Sequence, residues 1–225
     1  MKKFIMPKMY NIKSLNIKKS YAHLLCIAFF YLTTLNQASA KPELISQYRQ
    51  ELNIIENFLN KIENLTSDFV QNSNGEEVFG KFYLSRNTQS SGKMRIEYLA
   101  EPKILIVVNG PILSYHDIEL DEITRLSTNT TPASFLTRPN ISFTAKDVEV
   151  TNIKKNNNEI KVSVVKKNRK EAGEFSLIFS INPFEFIRME VKNDLDQVIT
   201  VALKNIDFNN KIPNKLFVIK NNENQ

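Results

Sequence analysis

Between Ser91 and Gly110 the chain reads SGKMRIEYLAEPKILIVVNG, and the first half of this stretch alternates. Met94, Ile96 and Tyr98 fall on one side of an extended backbone, and Lys93, Arg95 and Glu97 on the other. Side chains on a strand change face at every residue, so the pattern predicts a sheet with one wet and one dry face. The same period of two predicts strands over Ser67–Asn72, Val78–Ser85, Lys93–Ala100, Ile104–Asn109, Ile112–Asp117 and Glu122–Ser127. It resumes over Ala145–Ile153, Glu159–Lys166, Glu174–Ile181, Phe186–Lys192, Val198–Asn205 and Lys215–Lys220. Turn residues stand between strands at Asn74-Gly75, Asn109-Gly110, Asn156-Asn157-Asn158 and Asn193-Asp194. About a dozen short strands, with no internal repeat and no linker, predict one mainly β domain. Its antiparallel sheet is strongly curved or closed into a barrel.

Two segments break the period. After Pro42, Leu44, Tyr48, Leu52, Ile55, Leu59 and Ile62 recur at steps of three and four, which predicts a long N-terminal amphipathic helix of about five turns. In TTPASFLTRP, Thr131 is placed to cap and Pro132 to open a short helix of two turns, with Phe135 and Leu136 as its apolar contacts. The dry face of the sheet carries Phe82, Leu84, Met94, Ile96, Tyr98, Ile106 and Val108. Such a face either forms ordinary core or encloses a ligand. Two helices are few elements to plug so many strands.

Charge separates the chain into two parts. The formal charge is +6, and residues 1–40 hold six lysines and no acid, leaving 24 basic and 24 acidic residues over 41–225. A neutral body has no electrostatic footprint for a nucleic acid. The basic start leads into an apolar run from His23 to Leu35 and then Ala38-Ser39-Ala40, the order of a cleavable signal peptide with Lys41 as the mature N-terminus. The run is shorter than the roughly 20 residues a membrane span needs. An uncleaved anchor is the alternative, and initiation at Met6 or Met9 is compatible with either. The single cysteine, Cys26, falls inside the leader, so residues 41–225 offer neither a disulfide nor a thiolate metal site.

His116 is the one histidine after the leader, and its neighbour Asp117 points to the opposite face of the strand. Two S-x-x-K matches, Ser90–Lys93 and Ser163–Lys166, fall in strand or loop, where that chemistry needs one helical turn. Glu119-Leu120-Asp121-Glu122 lacks the spacing of a calcium loop. Sequons at Asn64, Asn129 and Asn140 matter only in a glycosylating pathway. These residues predict no catalyst.

Several stretches, in order, resemble the periplasmic outer-membrane lipoprotein carriers of the LolA family. Phe69-Val70-Gln71 is similar to that family's F-x-Q strand, and Gly80 to Arg86 (GKFYLSR) to its G-x-(apolar)-x-L-x-R strand. Lys93 to Tyr98, then Pro102 and Ile106 to Gly110, resemble K-(apolar)-R-W-x-Y…P…(apolar)-V-x-D-G. Leu113 to Thr124 and Thr131-Pro132 with Leu136 complete the series, which covers about 41–140. The resemblance implies an incomplete, half-open antiparallel β-barrel lidded by helices, with acyl chains of lipoproteins held between barrel and lid. It implies a periplasmic monomer, with no cofactor and no metal, that takes acylated lipoproteins from an inner-membrane ABC transporter to an outer-membrane acceptor. By the same resemblance Met94, Ile96 and Tyr98 face the cavity, Phe135 and Leu136 belong to the lid, and Arg86 holds the lid. The chain departs from the family in lacking Pro after Arg86, with a longer loop expected over Asn87–Gly92, and in placing Ile96 and Ser114 where the family has Trp. Arg95, opposite Met94 and Ile96, is expected to be exposed. Two other readings remain: a periplasmic lipid- or protein-binding sensor with the same half-barrel, and an exported hydrolase built around His116.

Overall fold

In the computed structural model, residues 40–87, 90–193 and 195–219 are described. The expected leader therefore lies outside the described residues up to Ser39. Eleven strands form among them: β1 (Asn64–Ser73), β2 (Glu76–Asn87), β3 (Ser90–Tyr98), β4 (Ile104–Asn109), β5 (Ile112–Asp117), β6 (Glu122–Ser127), β7 (Val148–Lys155), β8 (Glu159–Lys166), β9 (Glu174–Ile181), β10 (Phe184–Lys192) and β11 (Val198–Asp207). They make one antiparallel sheet in the order β6-β5-β4-β3-β2-β1-β11-β10-β9-β8-β7. Sequence neighbours pair as hairpins, except β6 and β7, and β1 joins β11 and so ties the first strand to the last. β6 and β7 are the two edges, so the barrel is open along that side.

The long helix is two. α1 (Ala40–Gln47) and α2 (Arg49–Lys61) meet at Tyr48, whose φ of −108° and ψ of 23° leave the helical region. The break lets α1 lie against β7. Leu52, Ile55 and Leu59 of α2 are buried, and they share one core with inward residues of the sheet such as Leu65, Leu177 and Phe179. The core thus sits on the concave face, where the period of 3.6 meets the period of two.

The short helix is replaced by two 3₁₀ turns, Thr128–Thr130 and Pro132–Phe135. The hydroxyls of Thr130, Thr131, Ser134 and Thr137 each donate to the carbonyl three residues back. Those bonds support a tighter turn than the α-helix needs. The Ser127 hydroxyl caps the first of these turns by accepting the Asn129 N–H, and the Thr131 carbonyl accepts the Ser134 N–H at the start of the second.

The twelfth strand does not form. Residues 214–217 make a 3₁₀ turn that lies on the outer face of β3 and β4, and Phe217 is buried there against Leu105 and Val107. Arg95 is correspondingly not exposed: its guanidinium donates to the Leu216 carbonyl at 3.0 Å and pairs with Glu97. Asn109 Nδ2 adds a bond to the Phe217 carbonyl at 3.2 Å. The unbroken apolar run Ile104–Val108 is the cause, because a strand covered on both faces has no polar side to alternate. Further round the outer face, Lys161–Glu190 and Arg188–Glu159 ion pairs flank the fully buried Ile178 between them.

Candidate functional site

The segment from residue 128 to residue 147 links the two edge strands, and it returns across the open side. Its apolar residues Phe135, Leu136, Ile141 and Phe143 are all buried in the concave core. Phe135 stacks on Phe143 with ring centroids 5.6 Å apart, and the Arg138 guanidinium sits 5.5 Å over the Phe135 ring. Asn60 of α2 pairs twice with this segment, donating to the Ile141 carbonyl at 2.9 Å and accepting from its N–H at 2.8 Å. Glu56 accepts the Phe143 N–H at 2.6 Å.

Arg86 stands at the junction of sheet, helix and connecting segment. It follows Phe82 and Leu84 on the inward face, at a bulge where β2 and β3 lose register between Ser85 and Asn87. Bulges of this kind re-aim a side chain. The guanidinium donates to the Leu59 carbonyl at the end of α2, to the Arg138 carbonyl from Nε at 3.2 Å and Nη2 at 2.7 Å, and more weakly to Asn60 Oδ1 and the Pro139 carbonyl. A planar fork of five donors suits this set, and a cation suits the negative end of a helix. All four acceptors are neutral, and burial lowers the arginine's pKa from its ordinary value. Nearby, Gly92 N–H donates to the Thr137 carbonyl at 2.7 Å, and a Cβ on Gly92 would come within 2.9 Å of Arg86 Cγ. The expected long loop after Arg86 is short, since β2 runs to Asn87 and β3 restarts at Ser90.

Beneath the segment a cavity of about 210 Å³ is left between the strands. Phe69 and Gln71 of β1, Phe82 of β2, Met94, Ile96 and Tyr98 of β3, Phe175 of β9, Met189 and Val191 of β10, and Ile199 and Val201 of β11 line it, with Leu136 from the connecting segment. Gly80 makes room for one wall: a Cβ there would come within 2.3 Å of the Phe69 ring. That ring meets Tyr98 edge-on, with centroids 5.5 Å apart. Tyr98 donates its hydroxyl to Gln71 Oε1 at 2.7 Å, and burial, with Tyr115 adding to it, pushes its pKa up to about 12.

The sequence-predicted residues divide by depth along the strands. Phe82, Met94, Ile96 and Tyr98 line the cavity, as does Leu136. Leu84 and Val108 are buried in solid core, Ile106 packs against that core, and Phe135 packs beside Phe143. Seven lining residues come from strands the sequence reading had not assigned to the site. Two of them, Phe69 and Gln71, stand in the F-x-Q stretch and alternate with Leu65 on one face, a signal that was available. His116 lies 3.4 Å from Asp121, while Asp117 caps the N–H groups of Glu119 and Leu120. Among the described residues no group of His, Cys, Asp and Glu is arranged to hold a metal, and no helix is long and apolar enough to cross a membrane.

An open antiparallel half-barrel with a capped apolar cavity on its concave face defines a class of binding proteins rather than a particular chemistry. Residues 60–220 match the family described as outer membrane lipoprotein carrier protein LolA, and the chain belongs to that family. Some solved structures are similar to the chain at low identity. A putative outer membrane lipoprotein-sorting protein domain from Vibrio parahaemolyticus is 6% identical, with a TM-score of 0.47, over 74% of this chain and 94% of that one. Lipoprotein LppX from Mycobacterium tuberculosis is 9% identical, with a TM-score of 0.39, over 76% of this chain and 99% of its own. MucB is 10% identical, with a TM-score of 0.43 over 76% of this chain, and the match spans 63% of MucB. No curated protein matches the chain.

Proposed function

We propose that this protein is an extracytoplasmic carrier of acylated lipoproteins, with the acyl chains entering the cavity under Leu136. The observation that carries the reading is the cavity itself, walled almost wholly by apolar side chains and covered by one segment that a buried arginine ties down. Membership of the lipoprotein-carrier family supports acylated lipoproteins as the cargo class. Residues 1–40 then serve as the export signal, and the working compartment is the periplasm. An inner-membrane ABC transporter loads the carrier and an outer-membrane acceptor unloads it.

Magnitudes fit a lid that moves. An acyl chain contributes about 0.8 kcal/mol per buried CH₂, so a chain of about 16 carbons leaving a bilayer for water costs on the order of 12 kcal/mol. A carrier must offset most of that. The present cavity, about 210 Å³, lies below the roughly 300–1,000 Å³ of pockets that enclose drug-sized ligands. Loading therefore needs the segment holding Phe135 and Leu136 to swing away, and Arg86, together with Asn60 and Glu56, holds it shut.

The test adds purified residues 41–225 to spheroplasts that display newly made lipoproteins. Lipoproteins leaving the membrane as a soluble one-to-one complex is the expected result. No release, together with no lipid extracted by mass spectrometry, overturns the carrier reading and leaves a sensor or interaction module.

A further inference from the structure

The cavity wall has one polar feature, the hydrogen-bonded pair of Tyr98 and Gln71. We propose that this pair reads the head of the bound chain, favouring an acyl group that ends in an uncharged ester or amide carbonyl over a free fatty acid or a plain alkane of equal length. The inference rests on the acyl-chain reading and deepens it, by naming which chemical form of the chain the cavity takes.

Three observations carry it. First, the pair has donors to spare. Tyr98 donates to Gln71 Oε1, and the Gln71 amide nitrogen, with two N–H groups, donates to no acceptor among the described residues. No buried side-chain nitrogen or oxygen among those residues lacks a partner, so this nitrogen reaches accessible space, and Gln71 lines the cavity. Turning the amide by half a rotation frees the Tyr98 O–H instead, so either arrangement leaves a donor for a carbonyl oxygen. Second, the pair is held in place. Both residues face inward from the neighbourhood of Gly80, Tyr98 opposite it on β3 and Gln71 two residues beyond Phe69 on β1, and the Phe69 ring braces Tyr98 edge-on.

Third, the pair is neutral and stays so. With its pKa pushed up to about 12 by burial, the Tyr98 phenol keeps its proton at any pH a cell meets. No lysine or arginine lines the cavity. A carboxylate drawn in beside the pair would be a buried charge with no cation, which is strongly unfavourable, whereas an ester or amide carbonyl needs only the hydrogen bond on offer. An alkane gains no bond and shields the N–H groups from water.

The experiment uses protein purified from cells expressing the whole chain. Binding of methyl hexadecanoate, hexadecanoate and heptadecane is measured by displacement of diphenylhexatriene. The ester is expected to bind about two- to tenfold more tightly than either of the others, the size of one net hydrogen bond. Tyr98→Phe and Gln71→Met, singly and together, are expected to bring the ester-to-alkane ratio towards one, because the bond to the ester and the shielding of unpaired donors by the alkane are both removed. Equal binding of ester and alkane by the unaltered protein, or a ratio that survives both changes, overturns the role of the pair alone. Failure of all three ligands to displace the probe overturns the acyl-chain reading and this inference with it.

Discussion

Replacing Arg86 with Met tests the closure most directly, because it keeps the aliphatic stem and removes the fork. Two of the guanidinium's bonds are strong by geometry, those to the carbonyls of Leu59 and Arg138, while those to Asn60 and Pro139 are long at 3.3 and 3.4 Å. A hydrogen bond from a charged donor contributes about 1.5–3 kcal/mol. The cost of burying the guanidinium, visible as its lowered pKa, offsets part of the sum, so a net loss of roughly 2–3 kcal/mol is expected. At about 1.4 kcal/mol per factor of ten, the lower figure raises the open population about thirtyfold. Hydrogen exchange reads this at the amides whose bonds close the connecting segment onto its neighbours: Gly92, Ile141 and Phe143. They should exchange about thirtyfold faster in Arg86→Met, while amides in β8 and β9 keep their rates. Unchanged rates at those three amides would show that Arg86 does not hold the segment. Equal acceleration of β8 and β9 would show that it supports the whole fold instead.

Two further outcomes follow from contacts outside the cavity. Arg138 donates to Asp147 and holds its carboxyl below the ordinary range, partly countered by desolvation. A depressed carboxylate adds stability above its unfolded value near pH 4 and loses it as pH falls through the folded value. Asp147 is more than half exposed, so Asp147→Asn should cost less than about 1 kcal/mol at neutral pH and nothing in strong acid, by urea denaturation. Phe217→Ala should cost about 3 kcal/mol at its buried site and open the chain to trypsin at Lys211 and Lys215, with β1–β11 still resistant; an uncleaved tail would place the strength of that attachment in Arg95 and Asn109.

What the sequence disclosed was local, and what it withheld depended on distant partners. β4, β5 and β6 agree with the alternation to the residue, because turn chemistry at Asn109-Gly110 and the Glu119–Asp121 corner bounds them on both sides. Alternation also told which side chains face inward on β2 and β3. It could not tell how far along each strand the core is filled, so Leu84 and Val108 were placed with Met94 although they lie under solid packing. The far wall, Phe175, Met189, Val191, Ile199 and Val201, exists because β11 pairs with β1, a contact between the first and last strands of the chain that no window of sequence contains. The Phe217 cover was hinted at by the run Ile104–Val108, which has too little polarity for a strand wet on one side. Reading that run as an ordinary half-buried strand hid the need for a second cover and left Arg95 facing water.

The connecting segment is held by two kinds of force a few residues apart, and the difference suits the proposed carrier. Leu136 lies against the cavity walls, and an acyl chain can replace those apolar contacts with its own. Two residues on, the Arg138 carbonyl accepts bonds from Arg86 that no hydrocarbon can replace, so opening must give them up. If that loss is roughly 2–3 kcal/mol, then three or four methylene groups, at about 0.8 kcal/mol each, offset it. On the carrier reading, a shorter apolar fragment is expected to fail to open the lid, and a full acyl chain to open it with energy left over. The latch thus acts as a threshold on chain length, while the walls set affinity once the threshold is passed. Weakening the latch should therefore change which short chains are admitted far more than how tightly long chains are held. Arg86→Met compared with the unaltered protein across a series of acyl esters of increasing length would show this as a lower length threshold with a parallel slope per CH₂; a changed slope with an unmoved threshold would refute it.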